Sequence, residues 1–188
     1  MKIGVRITLA LIVLMGIGYM GFRDRLANIL FGPPERRAAQ SYESGLKRMA
    51  KSDLFGAEFD FRSAAELHPQ SAKYVVGYGN VLFAKGDFEG ANAQYAHAAE
   101  LEKPDPILLS NWGVVLRILG RIDQAVEKHS AAVELSPNDS KTLVNAGVTY
   151  SQAGDLTKAK EMFEKALQED PGNKDAAKNL EALTDKKG

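Results

Sequence analysis

The chain has 188 residues, with 24 Lys and Arg against 24 Asp and Glu, and no cysteine. The length suffices for one domain with a buried core, and the missing thiols exclude disulfides, thiolate metal sites and thiol catalysis. Residues 1–31 hold Lys2, Arg6, Arg23 and Arg25 with the single acid Asp24; removing these from the totals leaves 20 basic and 23 acidic residues in the remainder. A mildly acidic domain without a basic stripe is a poor partner for nucleic acid, whose binding requires clustered Lys and Arg.

The first predicted element is a membrane span. Residues Ile7 to Phe22 are uncharged and are flanked by Arg6 and by Arg23, Asp24 and Arg25. As a helix this run would reach roughly 24 Å against a ~30 Å hydrocarbon core. Ile3, Gly4, Val5 and a snorkelling Arg6 would close most of that gap. A cleaved signal peptide is the rival reading, but no A-x-A site follows, so the expectation is a retained single-pass anchor in contact with the lipid bilayer. Gly16, Gly18 and Gly21 spell G-x-G-x-x-G inside this apolar run. Without a preceding strand and a later acid, that string implies no dinucleotide cofactor. The basic head before the apolar run, and the ease with which long following domains translocate, place the remaining chain outside the cytoplasm, in a bacterial periplasm. The anchor and an interfacial turn occupy 1–31. Gly32, Pro33 and Pro34 open a linker over 32–37.

Beyond the linker the sequence repeats itself. Gly45, Gly79, Gly113 and Gly147 stand at one constant interval, and Ala57, Ala91, Ala125 and Ala159 keep the same spacing. So do Phe61, Tyr95, His129 and Phe163, then Ala64, Ala98, Ala132 and Ala166. Ser52, Gly86, Gly120 and Gly154 mark a turn inside each unit, and Pro69, Pro104, Pro137 and Pro171 stand near the end of each. These columns define units 38–71, 72–105, 106–139 and 140–173. Each unit is predicted to be two helices, A and B, with small residues at close helix crossings and an aromatic residue filling the space between units. Ser41, Ser44 and Arg48 replace apolar residues in the first unit, as expected of a terminal unit with a solvated face.

The pattern resembles the tetratricopeptide repeat, whose small-residue and aromatic columns recur every ~34 residues. The resemblance implies an all-α, right-handed solenoid of four helix pairs. It also implies a capping helix within 174–188, with Ala177, Leu180 and Leu183 on its apolar face. Its function would be protein binding rather than catalysis. Convergent nucleophiles, bases and metal ligands are absent: His129 falls in the aromatic packing column, and His68 and His97 are expected at the surface. No catalytic residue, metal or cofactor is expected.

In this family the A helices line a concave, peptide-binding surface. The inward-facing positions are Lys73, Val76, Asn80 and Phe83 in the second unit and Ile107, Asn111, Val114 and Arg117 in the third. Lys141, Val144, Asn145 and Val148 follow in the fourth. The implied partner is a protein or peptide, held by an adaptor that serves assembly of an envelope complex. Family members that grip a peptide's terminal carboxylate use Lys and Asn at corresponding columns. Asn80, Asn111 and Lys141 match that arrangement, whereas Val76 and Asn145 depart from it. A targeting receptor or co-chaperone docking site is therefore the second reading. The columns leave the oligomeric state open.

Overall fold

The computed structural model describes residues 32–185 together with Phe22 and residues 28–30. Nine α-helices lie between Gly32 and Asp185: α1 (Pro34–Ala50), α2 (Leu54–Leu67), α3 (Ala72–Lys85), α4 (Phe88–Leu101), α5 (Pro106–Ile118), α6 (Ile122–Leu135), α7 (Ser140–Gln152), α8 (Leu156–Glu169) and α9 (Lys174–Asp185). They pack as the antiparallel pairs α1/α2, α3/α4, α5/α6 and α7/α8, with α9 against α8 and α7. Among the described residues there is no strand. The architecture is an all-helical solenoid of four helix pairs closed by a terminal helix.

One expectation is corrected. Among the described residues no helix is long and apolar enough to cross a membrane, so the assignment as a single-pass membrane protein with periplasmic repeats does not stand. The apolar run assigned to the span lies, apart from Phe22, outside the described residues. With it goes the envelope setting that rested on the span.

The repeat columns become the packing of the solenoid. A Cβ on Gly45, Gly79, Gly113 or Gly147 would stand 3.0, 2.7, 2.7 and 2.5 Å from the rings of Phe61, Tyr95, His129 and Phe163 respectively. The glycine on helix A is thus the floor on which the ring of helix B lies. All four rings also reach the next helix in the array: Phe61 clusters with Val81, Tyr95 with Val115 and Phe163 with Leu183, and His129 meets Thr149. Both alanine columns are fully buried. They keep each pair close enough for ridges to enter grooves.

The turns inside the pairs are left-handed at Ser52, Gly86, Gly120 and Gly154, with φ between 60° and 84°. Asp53, Asp87 and Asp155 then cap the following helix, each carboxylate accepting from the amide three residues on. Arg121 stands in the same column without a cap. Its guanidinium instead pairs with both carboxylate oxygens of Glu89 at 3.0 Å, tying the third unit to the second.

Three local details differ from the sequence expectations. Helix α1 already begins at Pro34, within the stretch expected as linker, because proline at the first helical position lacks only an N–H that would go unpaired. Ser44 and Arg48 turn toward their own partner helix: the Ser44 hydroxyl donates to Asp60 Oδ2 at 2.6 Å and Arg48 Nε pairs with the same oxygen at 2.9 Å. In α9 the buried face is Ala176, Leu180 and Leu183 rather than Ala177, which is exposed. Asn173 sets this register by accepting the Ala176 amide at 3.0 Å.

Candidate functional site

The inner layer of the solenoid is built from the A helices, and three of them carry the positions singled out in the sequence. On α3, Lys73 is exposed and its ammonium lies 4.5 Å from the centre of the Tyr42 ring. Val76 is half-buried. Asn80 accepts the Tyr95 hydroxyl at 2.7 Å, and Phe83 packs 5.8 Å from Phe88, centre to centre. On α5, Ile107 is 71% exposed, unusual for an aliphatic side chain, while Asn111, Val114 and Arg117 are half-buried. On α7, Lys141 is exposed and Val144 is buried in the core beside Leu143 and Phe163. Asn145 donates to the Ser110 hydroxyl at 3.1 Å, and Val148 is half-buried against the same core.

Two clefts bring part of this set together. One, of about 380 Å³, has Ile107, Ser110 and Asn111 of α5 on one wall and Lys141 and Thr142 of α7 on the other. The second, of about 300 Å³, runs from Tyr42 of α1 across Lys73 and Val76 of α3 to Asp105 and Leu108 at the start of α5. The first cleft carries Lys141 and Asp139 beside its apolar wall, and the second carries Lys73 and Lys103 with Glu102 and Asp105. Asn80, Phe83, Val114, Arg117, Val144, Asn145 and Val148 line neither cleft.

Sequence reasoning missed Tyr42 and Ser110 as cleft residues. The signal was present: Tyr42 lies one repeat period before Val76, and Ser110 lies one period after it. The first unit was passed over because its polar substitutions pointed to a terminal surface.

His129 contributes no surface. It is fully buried, its Nε2 lies 3.1 Å from the Ser110 carbonyl oxygen and its Nδ1 lies 2.9 Å from Thr149 Oγ1. A carbonyl only accepts, so Nε2 carries the proton; the Thr149 hydroxyl lies beside Nδ1 and also 3.0 Å from the Asn145 carbonyl oxygen, with one proton for the two. Burial pulls the imidazole pKa down to about 4; the Ser110 carbonyl opposes this shift and the nearby positive charge of Arg117 adds to it. Of the two histidines expected at the surface, His97 is exposed, whereas His68 is half-buried with its ring 6.0 Å from Tyr74. Among the described residues no cluster of three or more His, Cys, Asp or Glu could hold a metal ion.

A solenoid of helix pairs with a cleft-bearing inner layer defines the class of helical-repeat interaction scaffolds, whose extended concave surfaces serve binding. The tetratricopeptide repeat model matches residues 105–168, which take in the third unit and most of the fourth. YrrB, described as a TPR protein with an unusual peptide-binding site, is 25% identical to the chain. That likeness covers 78% of this chain and 76% of YrrB, with a TM-score of 0.68. PilF of Pseudomonas aeruginosa is 23% identical over 82% of this chain and 70% of its own, with a TM-score of 0.73. The first TPR domain of Spaghetti (RPAP3), solved bound to the HSP90 peptide SRMEEVD, is 23% identical over 62% of this chain and 93% of its own, with a TM-score of 0.59. At 23% identity the last two show shared fold alone. No curated protein matches the chain.

Proposed function

We propose that this protein is an adaptor that holds a partner protein by seating a peptide segment of it along α3, α5 and α7. The observation that supports this reading is the pair of clefts described above, which flank the start of α5 on the inner layer. Exposed Ile107 is the apolar contact expected to desolvate on binding. YrrB supports the reading as a similar fold with a peptide-binding site of its own. The test is a photo-crosslinking residue at Ile107 in the full chain, with a second at Lys160 on the outer layer as control. A partner captured from native extract at Ile107 and not at Lys160 is the expected result. Equal capture at both positions would remove the groove from the account.

A second reading, a docking site for a peptide C-terminus, is favoured by Asn111 and Lys141 sharing one cleft. Against it, Val76 stands where a lysine would be needed, and the amides of Asn80 and Asn145 already bond within the protein. A partner peptide that binds equally well with a free or an amidated C-terminus would exclude this reading.

A further inference from the structure

Three of the four inner helices differ in charge from the outer layer; the first, α1, carries Glu35 and Glu43 beside Arg36, Arg37, Lys47 and Arg48. Helices α3, α5 and α7 contain no Asp or Glu; their charged residues are Lys73, Lys85, Arg117 and Lys141. The outer helices α2, α4, α6 and α8 all contain acids, from Glu58 to Glu169. A domain that is acidic in total therefore keeps three successive inner helices free of negative charge. Of the acids that border the two clefts, Asp105 and Asp139 cap the Leu108 and Thr142 amides, both at 2.7 Å, and Glu102 lies in the loop before α5.

Not all four cations are available. Lys85 pairs with Glu58 and lies over the Phe55 ring, and Lys73 rests on Tyr42. Arg117 differs from both. It is half-buried, its Nε is shielded from solvent with no hydrogen-bond partner, and no described carboxylate lies within ion-pair distance of it. Burial holds its pKa below the usual arginine value, and no neighbouring acid offsets that. A guanidinium normally retains its charge even so. A half-desolvated, charged fork without a counter-ion is an incomplete ion pair, and a planar carboxylate completes it with two parallel N–H···O bonds.

We infer that the inner layer selects an acidic peptide segment, with Arg117 as the anchor for an internal Asp or Glu side chain of the partner and Lys141 as a second, exposed attraction. The inference rests on the adaptor reading above and adds the chemistry of the partner. It differs from the C-terminus reading because the acceptor is a side chain, so the peptide's end is irrelevant. Apolar positions between the acids fit Ile107, Val76 and Val114, which share these helices.

The test uses the full chain and three fluorescein-labelled, C-terminally amidated peptides of equal length. Leucine and alanine alternate in each with Glu, Gln or Lys. The Glu peptide is expected to bind about tenfold more tightly than the Gln peptide, the step one good charge-assisted pair supplies. Arg117→Gln should abolish that advantage, Lys160→Gln on the outer layer should keep it, and rising salt should diminish it. Circular dichroism on Arg117→Gln, with Arg117→Lys as a charge-retaining second variant, separates lost binding from lost fold. If Glu and Gln peptides bind equally, and Ile107→Glu weakens both, the groove binds peptides and the acidic preference is wrong. If no peptide responds to Ile107→Glu, the adaptor reading itself fails. Self-association of the full chain that Arg117→Gln abolishes would make a second copy the occupant and overturn the inference.

Discussion

The His129–Thr149 contact shows how one column tolerates a polar residue in a dry core. At the equivalent crossings the ring of Phe61, Tyr95 or Phe163 meets Val81, Val115 or Leu183, which fall in the same repeat column as Thr149. Between the third and fourth units both partners are polar, and the Thr149 hydroxyl sits 2.9 Å from His129 Nδ1 and 3.0 Å from the Asn145 carbonyl oxygen. A buried imidazole without that hydroxyl would lose a hydrogen bond with no water to replace it. The pair also makes stability depend on pH. His129 has a folded pKa of about 4 against an ordinary 6.5, so the unfolded chain binds more protons between those values. Its contribution is full above pH 6.5 and is lost as pH falls toward 4, on the order of 3 kcal/mol in all. Denaturant titrations at pH 7 and pH 4 should show this loss in the wild type. The double variant His129→Phe/Thr149→Val, which restores residue types found in this column elsewhere, should lose less by about that amount. Gly113→Ala tests the floor beneath the same ring. Its Cβ would stand 2.7 Å from the imidazole, and a cost of about 1–3 kcal/mol in chemical denaturation is expected.

At the scale of the element, the turns and caps explain where each helix starts and stops. Gly86, Gly120 and Gly154 take their left-handed φ without strain, whereas Ser52, at φ 60°, does so with a side chain. That conformation costs a non-glycine residue roughly 1 kcal/mol. Ser52→Gly should therefore raise the melting temperature, and an unchanged or lower value would show that another contact of the serine offsets the strain. Helix α9 is held by one face only. Ala176 and Leu183 are buried against the last pair, with Leu180 partly covered. Terminal helices of this kind shield the core of the final repeat from water. A chain ending at Asn173 should expose Phe163 and Leu143. Amide exchange in α7 and α8 should then quicken well before that in α3 and α4.

For the whole molecule, the repeat columns made the fold legible before any coordinates: small residues at a fixed offset from an aromatic one specify two helices crossing closely, repeatedly. The turn column and the burial of His129 were legible for the same reason, since position within the unit decides environment. The candidate groove was legible only in part. Offsets identify which helices face inward, yet they do not say which inward side chains are already committed to the protein, as Asn80 is to Tyr95 and Asn145 to Ser110. Nor did they show that Ser110 borders the same cleft as Asn111, because neighbouring helix positions point about 100° apart and packing decides which of them a cleft takes in.

What the sequence determined by itself is the repeat: its period, its helix pairs and its turns, all of them local patterns reinforced by contacts between nearest neighbours. The tertiary structure alone decided what depends on residues distant in sequence. It turned Ser44 and Arg48 inward onto Asp60, and it placed Ala176 rather than Ala177 against the final pair. It also left Arg117 half-buried with its Nε shielded and unpartnered. Whether a polar side chain is exposed, paired or stranded depends on what the neighbouring helices bring to it. That depends on the orientation of one unit against the next, which no offset within a single unit records.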